Sequence, residues 1–164
     1  MQRFPLYKRG KFNDAITFLK QEARVGLFAK EADRWLRQAE YDLRAAEWNQ
    51  QGGFFAPACF LAQQSAAKSL RSFLFFNGED ARETRSVVEL IDRAITYEEE
   101  FRSFVGTSTS LDIYYKTSRF PDAIPGGIPA DVITEKDSKD AVKQASDIIA
   151  VVERKRKGFL PETM

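Results

Sequence analysis

The stretch from Gly53 to Gly78, GFFAPACFLAQQSAAKSLRSFLFFNG, constrains this chain more than any other. Wound as a helix it is apolar round most of its circumference, with polar relief mainly at Gln63, Gln64, Lys68 and Arg71. A helix apolar nearly all round is the central, buried member of a bundle. Its ends are marked. Gly52 and Gly53 interrupt what precedes, and Asn77-Gly78 is a stop signal, because both residues tolerate the left-handed conformation. Pro57 falls in the first turn, where an N–H has no intrahelical acceptor to lose.

The segments around it read as partners for that helix. Phe12, Ile16, Leu19 and Ala23 recur at helical spacing after Asn13 and Asp14, either of which suits an N-cap, so a short helix is expected there, with Gly26 weakening the pattern. Ala32, Trp35, Leu36, Ala39, Leu43 and Ala46 form one stripe of a helix over 30–50, with Arg34, Arg37, Glu40, Arg44 and Glu47 on the solvated face. The short connection at Gly52-Gly53 makes this helix an antiparallel neighbour of the central one. Ser86 and Glu89 have capping-box spacing and start a helix through Val87, Leu90, Ile91, Ala94 and Ile95, towards Phe101 and Phe104. Gly106 and the TSTS run punctuate it, and a short helix over 110–116 follows. The proline- and glycine-rich run SRFPDAIPGGIPADVI argues against regular structure, and a loop this long is more often functional than not. Thr134 with Asp137 caps a final helix that ends in Arg154-Lys155-Arg156-Lys157.

No stretch alternates with period two. The expected fold is therefore all-α: an up-and-down bundle of four or five helices with an N-terminal helical arm. The expected division is an arm or extra helix over 1–30, a bundle over 31–158 and a fraying tail over 159–164.

The chemistry is narrowed first by an absence, since none of the 164 residues is histidine. That removes the one side chain whose ordinary pKa lies near neutrality, and with it histidine metal sites and histidine-based triads. The single cysteine, Cys59, lies in the apolar central helix and reads as a packed core thiol suited to a reducing cytoplasm. Neither a phosphate-binding glycine motif nor a clustered set of metal ligands is present, so no cofactor and no metal is expected. A net charge of +1 supplies no global field for nucleic acid. With no signal-like or spanning apolar run, the cytoplasm is the expected location and no membrane contact is expected.

Three local features carry ligand-binding chemistry. Lys68 and Arg71 lie one turn apart on the central helix with Gln64 a turn before them; they suit a phosphate or an acidic partner, or, the reading preferred from the residues alone, cations snorkelling at a bundle edge. Tyr114-Tyr115-Lys116 with Arg119-Phe120-Pro121-Asp122 sets aromatics beside basic residues. That pattern suits base stacking and phosphate pairing, or an aromatic plug that anchors the loop. The basic end of the last helix is favoured by the helix dipole without any ligand.

These residues together resemble the HEPN domain (higher eukaryotes and prokaryotes nucleotide-binding). Trp35, Ala39, Asp42-Leu43 and Ala46 are similar to its first-helix pattern, and Phe55 to Arg71 to its most recognisable segment. Ser86-Val87-Val88-Glu89-Leu90 and Ser118-Arg119-Phe120-Pro121-Asp122 resemble two later motifs, in the right order over about 32–155. The resemblance implies a helical bundle that dimerises with a second copy and pairs with a nucleotidyltransferase in a toxin–antitoxin-like system. Many HEPN proteins are metal-independent ribonucleases with an Arg-x4–6-His motif, and this chain has no histidine to complete it. It also has Ala67 where relatives often carry glutamate, and Arg85 where many carry histidine. The expected function is thus a non-catalytic binding module for a nucleotide or RNA, contacted by Gln64, Lys68, Arg71, Tyr115, Arg119 and Asp122. The alternatives are a divergent ribonuclease and a structural scaffold dimer.

Overall fold

The structure, a computed structural model, describes residues 7–158, with side chains from Asp14 onward. The expected tail over 159–164 lies outside the described residues. Among the described residues six α-helices form, α1 (Tyr7–Gln51), α2 (Phe55–Phe76), α3 (Val87–Ile95), α4 (Val105–Thr117), α5 (Pro129–Val132) and α6 (Glu135–Lys157). No strand occurs among the described residues. The short N-terminal helix and the helix over 30–50 are one element. α1 runs unbroken for 45 residues, so Asn13 and Asp14 lie within it rather than capping it. The reason is physical: no proline interrupts 7–51, and an interior glycine such as Gly26 costs only about 1 kcal/mol relative to alanine.

α2 is the centre, packed against α1, α3, α4 and α6. Ala58, Cys59, Ala62, Ala66, Leu70 and Leu74 are all 0% exposed. Its small residues let α1 approach closely. Ser65 Oγ donates to the Ala39 carbonyl at 2.8 Å, and Ser72 Oγ donates to the Ala32 carbonyl at 2.6 Å. Burial pushes the Cys59 thiol up to about 12, and it sits as a packed core group beside Tyr114. Gly78 closes α2 with φ +80, the left-handed turn the Asn-Gly pair anticipates.

The second half differs in detail from its sequence reading. α3 stops at Ile95, and Phe101 and Phe104 belong to a 3-10 segment, Glu99–Phe104. The TSTS run does not break the chain but lies inside α4. Thr107, Ser108 and Ser110 donate back to the carbonyls of Phe104, Val105 and Thr107, which satisfies their hydroxyls without leaving the helix. The loop after α4 contains two single turns, a 3-10 turn at Pro121–Ala123 and α5, each opened by a proline at a position where no N–H is needed. At α6 the expected capping box is present, with Thr134 and Asp137 bonding reciprocally.

The basic end of α6 folds onto acidic neighbours. Arg154 pairs with Glu100 at 2.6 Å, Lys155 with Glu98 at 2.9 Å, and Arg156 with Asp33. The hydrogen bond from Arg154 holds the Glu100 carboxyl at about 2 against an ordinary 4.5. A depressed folded-state pKa gives stability that is present above the ordinary value and lost as pH falls through the folded one. Thermal stability at low salt should therefore decline between about pH 4.5 and pH 2, and Glu100→Gln should flatten part of that decline. An unchanged pH profile in the variant would show that the pair contributes nothing measurable.

Candidate functional site

The C-terminus of α4 and the outward face of α2 form an aromatic–cationic cluster. Arg119, just past α4, stacks its guanidinium 4.3 Å from the Phe60 ring centroid, 4.5 Å from Tyr115 and 4.7 Å from Phe120. Its Nε and Nη2 donate to the Tyr115 carbonyl at 2.8 and 2.5 Å, which fixes the plane of the group at the helix end. Phe60 and Tyr115 also meet each other, with centroids 6.4 Å apart. Arg119 and Phe120 are exposed, so the cluster presents one aromatic face and one cation to solvent. Asp122 follows in the exposed 3-10 turn.

The polar strip of α2 points in three directions. Lys68 turns to α1 and pairs with Asp42 at 2.5 Å; Asp42, buried at 5% exposure, also accepts from Gln38 at 2.7 Å. Arg71 is buried at 6% and donates to the carbonyls of Ala81 and Thr84, with its guanidinium 5.1 Å from the Trp35 ring. Burial, together with nearby Arg85, lowers its pKa from the ordinary value, and the Tyr115 phenol is close enough to oppose that shift. Gln64 donates to Gln63 Oε1 at 2.8 Å.

Gln63 leads to a residue that sequence reasoning missed. Asp112, on α4, accepts from Gln63 Nε2 at 3.2 Å, Ser86 Oγ at 2.7 Å, the Val87 N–H at 2.7 Å and the Val88 N–H at 3.1 Å. Ser86 Oγ in turn accepts from the Glu89 N–H. The first-turn N–H groups of α3 are thus satisfied, while the Ser86 N–H that a capping box assigns to Glu89 goes to Thr84 Oγ1 at 3.3 Å, and Glu89 accepts from that hydroxyl at 2.6 Å. In the sequence Asp112 reads as an i, i+4 partner for Lys116, and nothing local indicates bonds reaching 24 to 49 positions away. Phe120 belongs to the aromatic–basic pattern read from the sequence, whereas Phe60 is legible there only as part of the central helix.

Of the residues proposed from sequence, Tyr115 and Arg119 are in direct contact. Lys68 and Gln64 engage α1 and Gln63 respectively, and Asp122 stands at the start of the loop. Among the described residues no three Cys, Asp or Glu side chains are grouped to hold an ion, and no helix is long and apolar enough to cross a membrane.

A buried central helix and a polar node joining three helices define an all-α bundle, with an exposed arginine set among three rings on its surface. The HEPN domain model matches residues 32–155, and the chain belongs to that family. It is 25% identical over 147 residues to a Methanocaldococcus jannaschii protein named "Putative toxin MJ1304", covering 84% of this chain and 93% of that protein. Among solved structures, TT1696 from Thermus thermophilus superposes with a TM-score of 0.69 at 34% identity, covering 76% of this chain and 98% of that one. ST0689, described as an archaeal HEPN homologue, superposes with a TM-score of 0.63 at 31% identity, covering 76% and 97%.

Proposed function

We propose that the chain is a non-catalytic HEPN binding module that takes a nucleotide or single-stranded RNA at the Arg119 cluster. The observation that carries this is the exposed guanidinium fixed between Phe60, Tyr115 and Phe120. A base stacks on an exposed aromatic face whatever its identity, and an arginine beside it pairs with phosphate. Lys68 and Arg71 are engaged inside the bundle, so in this reading they shape the surface while Arg119, Tyr115 and Phe120 meet the ligand, with Gln64 and Asp122 at its edges. The absence of histidine favours binding over cleavage, because no side chain has an ordinary pKa near neutrality.

The relative named as a toxin supports a toxin–antitoxin-like setting, and we extend the proposal to a nucleotidyltransferase partner and a homodimer. Titration with ATP, GTP and short RNAs should show saturable binding that weakens about tenfold or more in Arg119→Ala, because stacking on one base contributes about 1–3 kcal/mol. No binding by the wild type at millimolar ligand overturns the assignment. Cleavage of labelled RNA above a mock preparation would replace it with the ribonuclease reading.

A further inference from the structure

The outward face of α1, over its second half, carries chemistry that neither the core nor the Arg119 cluster uses. Ala32, Leu36, Ala39 and Ala46 line the inner face and are buried. Half a turn round the helix from them, Leu27, Tyr41 and Trp48 fall on one line, with Lys30, Arg37 and Arg44 beside it. All six are exposed, Tyr41 at 61% and Trp48 at 78%. From Leu27 to Trp48 this ridge is about 31 Å long at 1.5 Å per residue.

Three cations of the ridge are free of carboxylates. Among the described residues Lys30, Arg37 and Arg44 form no ion pair, and Arg44 lies 5.7 Å from the Tyr41 ring centroid. The neighbouring carboxylates are turned elsewhere. Glu31 pairs with Arg34 at 2.5 Å, Asp33 with Arg156, and Asp42 with Lys68 at 2.5 Å, while Glu40 bonds to Glu153 on α6. Glu47, two turns beyond Glu40, shares that flank and lies off the ridge. A cleft of about 890 Å³ borders the ridge at Arg37, Tyr41 and Arg44; its two other arginines, Arg34 and Arg82, are paired with Glu31 and Asp80.

The repeat of the ridge indicates what covers it. Lys30, Arg37 and Arg44 recur every seven residues, and so do Tyr41 and Trp48, in series with Leu27 and Arg34. The two sets alternate at spacings of three and four, the pattern by which one helix seats another. A nucleic-acid strand has no matching period. Tyrosine, tryptophan and arginine are also the side chains that dominate binding between proteins. A second copy of this ridge would bring cations to cations, which opposes self-pairing. A helix with carboxylates at a seven-residue repeat and apolar residues between them matches both the charge and the spacing.

We infer that the outward ridge of α1, from Leu27 to Trp48, is a docking surface for an acidic amphipathic helix of another protein. This surface is separate from the Arg119 cluster and does not depend on the ligand proposed there.

Titrating the full chain with a labelled synthetic peptide tests the inference. The peptide is a helix of four heptads with leucine and glutamate at its two seam positions, and its lysine counterpart and a labelled oligouridylate are run beside it. The glutamate peptide should bind saturably and more weakly as salt is added. Binding should fall about tenfold or more in Lys30→Glu/Arg37→Glu/Arg44→Glu, which should take the lysine peptide instead. Tyr41→Ala and Trp48→Ala leave the charges in place and should each weaken binding about tenfold, so the outcome does not hang on the folding of the triple variant. No binding of the glutamate peptide by the wild type, equal binding of both peptides, or a triple variant that still prefers glutamate overturns the inference. Oligouridylate bound by the wild type and lost in the triple variant, without peptide binding, also overturns it and gives the ridge to nucleic acid.

Discussion

Asp112→Ala is expected to unfold this protein more readily than any other single substitution of a polar residue. The carboxylate accepts four hydrogen bonds, two of them from the N-terminal N–H groups of α3, and it binds α2, α3 and α4 to one another. Alanine takes the acceptor from Ser86 Oγ and the Val87 and Val88 N–H groups, while Gln63 Nε2 keeps the Arg85 carbonyl at 3.0 Å, and it removes a negative charge from the positive end of a helix dipole. Bonds to a charged group contribute about 1.5–3 kcal/mol each and are not additive, so the expected loss is about 4 kcal/mol. For a chain of this size that lowers Tm by about 8–16 °C. Ser86→Ala, which removes only the neighbouring cap, is the control and should cost about 1 kcal/mol. Thermal melts of the two variants decide the matter: equal losses would show that Asp112 acts only as part of the cap.

Arg71→Met carries the second largest effect. Methionine keeps much of the buried stem but removes the donors that serve the Ala81 and Thr84 carbonyls, and both of those residues are buried. An unsatisfied buried carbonyl costs about 1–3 kcal/mol, so a loss of about 3 kcal/mol is expected, concentrated in the connector between α2 and α3. Arg71→Lys should recover only part of it, because a single ammonium cannot reproduce the planar fork over the Trp35 ring. Urea unfolding gives the magnitude, and amide exchange in residues 79–86 gives the location. Exchange that is unchanged there would remove Arg71 from its place as the connector's anchor.

What could be read from the sequence divides along a physical line. The all-α bundle and the buried centre at α2 were legible, because apolar periodicity and the Gly52-Gly53 and Asn77-Gly78 boundaries are local signals. The Thr134–Asp137 box was legible for the same reason. Less legible was anything decided at a distance. Asp112 serves the Val87 and Val88 N–H groups from across the bundle, Thr84 takes the Ser86 N–H that a capping box assigns to Glu89, and Arg71 turns inward to carbonyls of a connector that sequence periodicity does not describe. The TSTS run was misread as punctuation because hydroxyl side chains that bond back to their own helix leave no mark distinguishing them from turn formers. Arg119 and Tyr115 were named from the sequence, but Phe60 joins them only because α2 and α4 lie side by side.

The two serine bonds between α2 and α1 have a mechanical consequence. Ser65 reaches the carbonyl of residue 39 and Ser72 that of residue 32, so donors seven positions apart on one helix meet acceptors seven apart on the other, in opposite order. Sliding α2 along α1 by any small amount breaks both bonds together and leaves two buried hydroxyls without partners. Shear between packed helices, a common way for bundles to move, is therefore blocked at this seam. A rearrangement that accompanies binding is therefore expected on the other side of α2, where the carboxylate of Asp112 ties α3 and α4 to it.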